Sequence, residues 1–280
     1  MNKKSGTIIS KSLVTILCVI LAILSIFPFV IMIVNATRST PQIQQHAVSL
    51  LPSKYLISNF KILTGKSFNP AVGFMNSLII SVCQTVLTLY FSTLTAYSLV
   101  IYDWKLKKYF FAFVMSIMMI TWQISMIGFY QIVYKIHMTN KLIMLILPAI
   151  AAPQLVFFMR QYMIPLLSPS LVESARIDGA REFRTFNQIV LPIMKPALAT
   201  QAIFSFVNSW NNLFTPLVLL TKQDKYTLPI MVSLLKGDIY KTEYGSVYLG
   251  LTLTALPLIV VYFLLSKYII AGVALGSVKG

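Results

Sequence analysis

Apolar residues run through this chain in six long stretches that no charged side chain interrupts: 13–34, 67–102, 109–134, 142–159, 196–221 and 244–266. A charge at the centre of a membrane helix costs about 2.5–3.5 kcal/mol on insertion, so uncharged windows of this length mark membrane spans. A helix crosses the hydrocarbon in about 17–25 residues. The pattern predicts an all-α membrane protein forming one domain, 1–280, with six transmembrane helices near 13–34, 73–100, 109–131, 142–161, 198–220 and 244–266. The start of the second window, Ser67 to Pro70, falls outside its span. Pro148 and Pro153 interrupt the fourth, where neighbouring helices must satisfy the backbone groups that proline frees. The first apolar run follows Lys3, Lys4 and Lys11. Its 22 residues exceed the roughly 7–15 of a cleaved signal segment, which predicts a retained helix.

Composition supports the same class. Hydrophobic residues make up 57% of the 280 and charged residues 11%, less than half of the roughly 25% that solvates a soluble domain. A soluble enzyme is excluded, and so is a disordered chain, which would be poor in apolar residues. The net charge of +16 comes from Lys and Arg scattered among loops. Anionic lipid headgroups account for that balance without nucleic acid. Cys18 and Cys83 sit inside apolar runs and read as packing residues, not as a metal site or disulfide.

Six spans place both termini on one side. With cytoplasmic termini, 13 of the 23 Lys and Arg lie inside and 10 outside, a small bias in the direction of the positive-inside rule. The six windows hold no Asp, Glu, Lys, Arg or His, whereas ion-coupled transporters keep such groups in their spans. The chain also lacks a G-x-x-x-x-G-K-[ST] phosphate loop, so it is not expected to hydrolyse ATP. An intramembrane hydrolase would need a base beside its serine nucleophile, and the windows supply none.

One polar segment concentrates charge. Residues 160–195 hold three of the seven acidic residues and four of the five arginines. Within it, Val172, Ala175, Gly179, Phe183 and Phe186 recur at helical spacing and predict an apolar-to-small stripe. Gly179 costs about 1 kcal/mol inside a continuous helix, which favours a turn there between two short helices. Pro192 and Pro196 then separate this unit from the fifth span. Two readings fit these residues: an amphipathic hairpin on the membrane face, or a surface whose small residues Ser174, Ala175, Gly179 and Ala180 admit another protein.

The order E-S-A-x-x-x-G, nine residues, then I-x-L-P, carried by Glu173, Ser174, Ala175, Gly179, Ile189, Leu191 and Pro192, resembles the EAA loop of permease subunits of bacterial ATP-binding-cassette importers. Ser174 stands where the motif's first alanine is usual. The runs 206–217, 225–229 and 276–280, with Pro28-Phe29 and Asn76-Ser77, are similar to the smaller permease of maltose-type and multiple-sugar importers. The resemblance implies cytoplasmic termini, a homologous second permease, an ABC ATPase dimer inside and an extracellular sugar-binding protein outside. No cofactor is implied on this chain; ATP and magnesium would sit on the ATPase. The coupling loop, 168–192, would place Glu173, Ser174, Ala175, Asp178, Gly179, Ala180, Ile189, Leu191 and Pro192 at the ATPase. Glu173 would pair with a basic group there and Gly179 would make the turn.

Amides suit sugar hydroxyls and aromatic faces suit sugar rings, which makes Asn76, Asn208, Trp210, Asn211 and Asn212 candidates for a translocation path. The alternative for such amides is bonding between helices, the reading preferred for Gln84 and Gln123. The segment 222–243, with Asp224, Lys225 and Asp238, is expected outside, towards the binding protein or simply solvated. The tail 268–280 is expected inside. His46 and His137 fall in loops. The same architecture serving a non-sugar solute such as glycerol phosphate is the alternative; an anionic solute would call for a cation in its path, and Arg160 is the nearest candidate.

Overall fold

The computed structural model describes residues 3–65, 69–235 and 242–277, with side chains from 13 to 264 within them. Among these residues the structure is helical throughout its regular elements, with no strand. It divides into two compact units, residues 1–68 with 232–256 and residues 69–231 with 257–280.

In the first unit, α1 (Lys3–Ala36) carries the first apolar run, followed by α2 (Thr40–Gln45) and α3 (Leu56–Gly65). The most apolar 18 residues within Leu13–Ala36 are unburied in this chain. Burial begins at the end of α1, at Val34, Asn35 and Ala36. The Arg38 guanidinium donates to Asn35 Oδ1 at 2.9 Å and to the carbonyls of His46 at 2.7 Å and Gln42 at 2.8 Å. It thereby ties the end of α1 to the end of α2. Asn59 Nδ2, from α3, donates to the Ala36 and Arg38 carbonyls at 2.8 and 2.9 Å. Gly245 packs on that amide so closely that a Cβ would lie 2.5 Å from Asn59 Nδ2. Gly245→Ala is therefore expected to cost about 2 kcal/mol by overpacking, read as a lowered melting temperature of the detergent-solubilised chain.

The second unit is built on α4 (Pro70–Ile101), capped by Asn69, whose side chain accepts from Val72 N at 3.3 Å. Helix α5 (Lys107–Met118) and α6 (Trp122–Lys135) come next, then α7 (Ile143–Ile146), a 3₁₀ turn at 147–150 and α8 (Pro153–Met163). The hairpin helices are α9 (Pro169–Ile177), α10 (Glu182–Thr185) and α11 (Leu191–Ile193), joined to α12 (Lys195–Trp210) and α13 (Phe214–Leu219). Helix α14 (Leu228–Leu235) straddles the boundary between the units, and α15 (Tyr244–Ser277) ends the described chain.

Among the described residues, four stretches are long and apolar enough to cross a membrane: Leu13–Ala36, Pro70–Ile101, Ile143–Met163 and Tyr244–Leu264. The number is up to six if each of two bent pairs counts as one span, α5 with α6 and Glu182–Ile193 with α12. The segment expected as a single third span is α5 and α6, bent by 97°. Its break falls at Met119–Thr121, where Thr121 is extended and neither Pro nor Gly is present. The expected fifth span is also not one helix: α12 stops at Trp210 and α13 starts at Phe214.

The proline-interrupted fourth span shows how lost backbone bonds are recovered. Pro153 has no N–H to give the Ala149 carbonyl, and Thr88 Oγ1 of α4 donates to that oxygen at 2.9 Å. Gln84 Nε2 donates to the Leu145 carbonyl in the same way, bonding between helices as expected. Around these contacts α8 and α12 pack on α4. Tyr97, Met159, Met163, Val172, Phe186, Val190 and Met194 form the core beside the hairpin, while Ile80, Val133, Leu145, Leu219 and Ile230 form a second one.

Candidate functional site

The 168–192 segment is a helical hairpin whose turn is made by backbone alone. Ser168 is extended and Pro169 opens α9, a position where proline's fixed φ is helical already and its missing N–H is not needed. Val172 and Ala175 face inward and are buried. Helix α9 ends in a paired bond: Gly179 N donates to Arg176 O at 3.0 Å and Ala180 N to Ala175 O at 2.9 Å. This Schellman arrangement requires a left-handed residue after the cap, and Gly179 supplies it with φ of +79°. The expected turn is found at the expected residue.

Beyond the turn, α10 runs through a π-helical segment, 186–190, into α11. Phe186 and Val190 are buried, Ile189 and Leu191 half-buried, and Pro192 is exposed. The expected stripe is corrected at two residues, Phe183 and Gly179. Phe183 is 71% exposed, because the Gly179 turn resets the helical phase that had linked it to Val172 and Ala175. Gly179 itself is exposed at the tip. Glu173, Ser174 and Asp178 are also exposed. Ile177, which the sequence reading did not single out, is 86% exposed beside the turn. Glu173 has no hydrogen bond or ion pair among the described residues, while Ser174 Oγ donates to Ser170 O at 2.9 Å. The hairpin thus buries one face against this chain and offers the other, with a carboxylate and two large apolar side chains around a glycine tip.

Glu182 is the polar centre of the hairpin. Its Oε1 accepts from Arg176 Nε at 2.9 Å, bridging the two arms across the turn. Its Oε2 accepts from Tyr97 Oη of α4 at 3.3 Å and from Tyr102 Oη just beyond α4. The Arg176 guanidinium lies 5.5 Å from the Tyr102 ring centroid. The Tyr102 hydroxyl and Arg176 together hold the Glu182 carboxyl below the ordinary range, against desolvation. Its favourable bonds are therefore complete above the ordinary carboxylate range and are lost as pH falls through the lowered value. Burial, then the bond to Glu182, pushes the Tyr102 phenol up. Arg176 and Glu182 are each more than a third exposed, so solvent screening keeps the contribution of the pair to stability small. A cavity of about 260 Å³ lies beside Glu182, between residues 94–102 and 182–186. The tyrosine partners of Glu182 are 80 and 85 residues away in sequence.

The five translocation-path candidates are not all equivalent. Asn76 is buried, and its Nδ2 donates to the carbonyls of Asp224 at 3.1 Å and Tyr226 at 3.0 Å. Next to it, Ser77 Oγ accepts from Leu228 N at 2.9 Å, so the pair fastens the 224–228 turn to α4. Trp210 is 1% exposed, stacked on Phe206 at 5.6 Å and edge-on to Phe74 at 5.7 Å. Asn208 and Asn211 are exposed, and Asn212 accepts from Thr215 N at 3.2 Å, capping α13. These asparagines sit at the end of α12 and in the break that follows it. Gln123 is exposed. Asn140, which the sequence reading passed over, accepts at Oδ1 from Thr221 N at 2.7 Å and Lys222 N at 2.9 Å. The expectations for Asp238 and for the tail beyond Ser277 lie outside the described residues.

Arg160 stacks on the Phe111 ring, 4.2 Å from its centroid, at the C-terminal end of the fourth span. Among the described residues no group of His, Cys, Asp and Glu could hold a metal ion.

Comparison with known proteins places this arrangement. The model of the family described as binding-protein-dependent transport system inner membrane component matches residues 89–274. The arabinooligosaccharides transport system permease protein of Halalkalibacterium halodurans is 36% identical over 282 residues, covering 100% of both chains. The lactose transport system permease protein of Rhizobium radiobacter is 31% identical, covering 92% of each. In fold, the chain is similar to a bacterial ABC transporter involved in the import of the acidic polysaccharide alginate. That match has a TM-score of 0.81 at 22% identity and covers 96% of this chain and 99% of that one. With its apolar spans, its hairpin and a family match across two-thirds of its length, the chain belongs to the binding-protein-dependent transport system inner membrane component family.

Proposed function

We propose that this permease moves a sugar or oligosaccharide into the cytoplasm as one of two homologous membrane subunits. A separate ABC ATPase dimer, holding ATP and magnesium, drives it, and an extracellular binding protein delivers the solute. In this reading the chain hydrolyses no ATP of its own. Both termini and the 168–192 hairpin are cytoplasmic, in the cell membrane. The hairpin seats in the ATPase through Glu173, Ser174, Asp178, Gly179 and the exposed Ile177. Closure of the ATPases around ATP then shifts the spans between two states that contact the hairpin differently.

The observation that carries the docking is the glycine-tipped hairpin, which leaves Glu173 and Ile177 exposed, Glu173 without a hydrogen bond or ion pair among the described residues. The sugar rests on the relatives, whose names specify arabinooligosaccharides and lactose. Both are neutral solutes, which favours a sugar over glycerol phosphate. Where the sugar passes stays with Asn208 and Asn211, the exposed members of the candidate set. Asn76, Trp210 and Asn212 support that region from behind.

Mild-detergent purification of the tagged chain from its native membrane tests the assembly. An ABC ATPase, a second permease and a solute-binding protein are expected to co-purify, and ligand screening on that binding protein then names the sugar. Recovery of the chain alone, from membranes shown to contain those partners, would sink the proposal.

A further inference from the structure

We infer that Glu182 is the positioning residue that locks the hairpin to α4, so that displacement at the ATPase reaches the spans instead of being lost in slippage. This rests on the docking proposed above. Apolar packing of Val172, Phe186 and Val190 attaches the hairpin to the second unit, but such contacts are non-directional and permit sliding. Among the described residues, Glu182 Oε2 accepts from both Tyr97 and Tyr102, tying the hairpin to α4 and its end, and Arg176 adds a contact with the Tyr102 ring. The other oxygen takes Arg176 from the far arm of the turn. One carboxylate therefore fixes three segments in one register, with bonds that weaken steeply on misalignment. The cavity beside it leaves room for the hairpin to shift once those bonds are removed. Half-exposed ionic contacts of this kind add little to stability, so their effect is on register.

The test uses the whole complex, purified with its ATPase and second permease. Spin labels go on Cys83 of α4, in a Cys18→Ser background, and on Arg184→Cys of the hairpin; both positions are exposed. In the parent complex, one narrow distance distribution is expected without nucleotide and with ATP plus orthovanadate. In Glu182→Ala the distribution should shift by about 2 Å between those two states, the scale of a helix sliding at an interface. Glu182→Gln loses the acceptor for Arg176 but keeps one oxygen for both phenols, the contacts to α4 and its end, and should restore the parent behaviour. A purely structural loss would broaden both states alike, which counts against the inference. If Glu182→Ala does not assemble, Tyr97→Phe with Tyr102→Phe removes only the hydroxyls and should give the same nucleotide-dependent shift. A parent-like distribution in the variants, or a nucleotide-dependent shift in the parent, overturns the inference while leaving docking intact. Docking is read separately, by disulfide cross-linking of Ile177→Cys to single cysteines placed around the ATPase cleft. Absence of every such cross-link in the parent complex removes docking and this inference together.

Discussion

Gly179→Pro is expected to reduce uptake to background while the chain still inserts in the membrane. Proline fixes φ near −65°, whereas the turn holds this residue at +79°. It also has no N–H to donate to Arg176 O, a bond the wild-type turn makes at 3.0 Å. Space is not the obstacle, since a Cβ at this position would meet nothing within 4 Å. Gly179→Ala then isolates the conformational cost, about 1–2 kcal/mol for one left-handed residue, and should retain partial uptake. Glu173→Lys addresses the surface instead of the shape. The side chain is exposed and unbonded among the described residues, so reversal of its charge should leave the chain folded and still stop uptake. Uptake assays beside membrane-fraction immunoblots separate these outcomes. Normal uptake in both Gly179→Pro and Glu173→Lys would remove the coupling role.

Trp210→Ala should give the largest loss of stability, about 3–5 kcal/mol. Trp210 is the largest fully buried side chain among the described residues, and its ring closes the end of α12 against Phe206 and Phe74. Removing it leaves a cavity where the chain turns from α12 towards α13, with Asn208 and Asn211 exposed on either side. Thermal unfolding in detergent should show a clear drop in melting temperature, and Trp210→Phe should recover most of it. A melting temperature unchanged in Trp210→Ala would mean that lipid or detergent fills the site, and that the ring is no packing anchor.

Both effects follow from residues the sequence marks, for different reasons. Glycine in a helical pattern carries a local conformational signal, so the turn at Gly179 could be read without a structure. The six uncharged windows were legible because the cost of a buried charge acts residue by residue. Phe183 was misplaced because periodicity assumes one continuous helix, and the turn that the same sequence predicts breaks that assumption. The 97° bend near Thr121 has no proline or glycine to announce it. Its nearest local sign is the β-branched pair Ile120–Thr121, which is common in spans. Asn76, Asn140 and Glu182 were beyond local reading, since their partners lie 80 to 150 residues away. A polar residue in an apolar run states that a partner exists, and only the fold says which.

The hairpin tip owes its shape to one glycine and two main-chain hydrogen bonds. Among the described residues, the side-chain link across its arms is the Arg176–Glu182 bridge. Glu173, Ile177 and Asp178 can therefore change without refolding the turn, and the tip can be re-addressed by surface substitution alone. On the docking proposed above, substitutions on the outer face would change which ATPase the hairpin fits while leaving the Glu182 contacts to Tyr97 and Tyr102 in place. Adaptability sits on the outside of the bend and transmission on the inside.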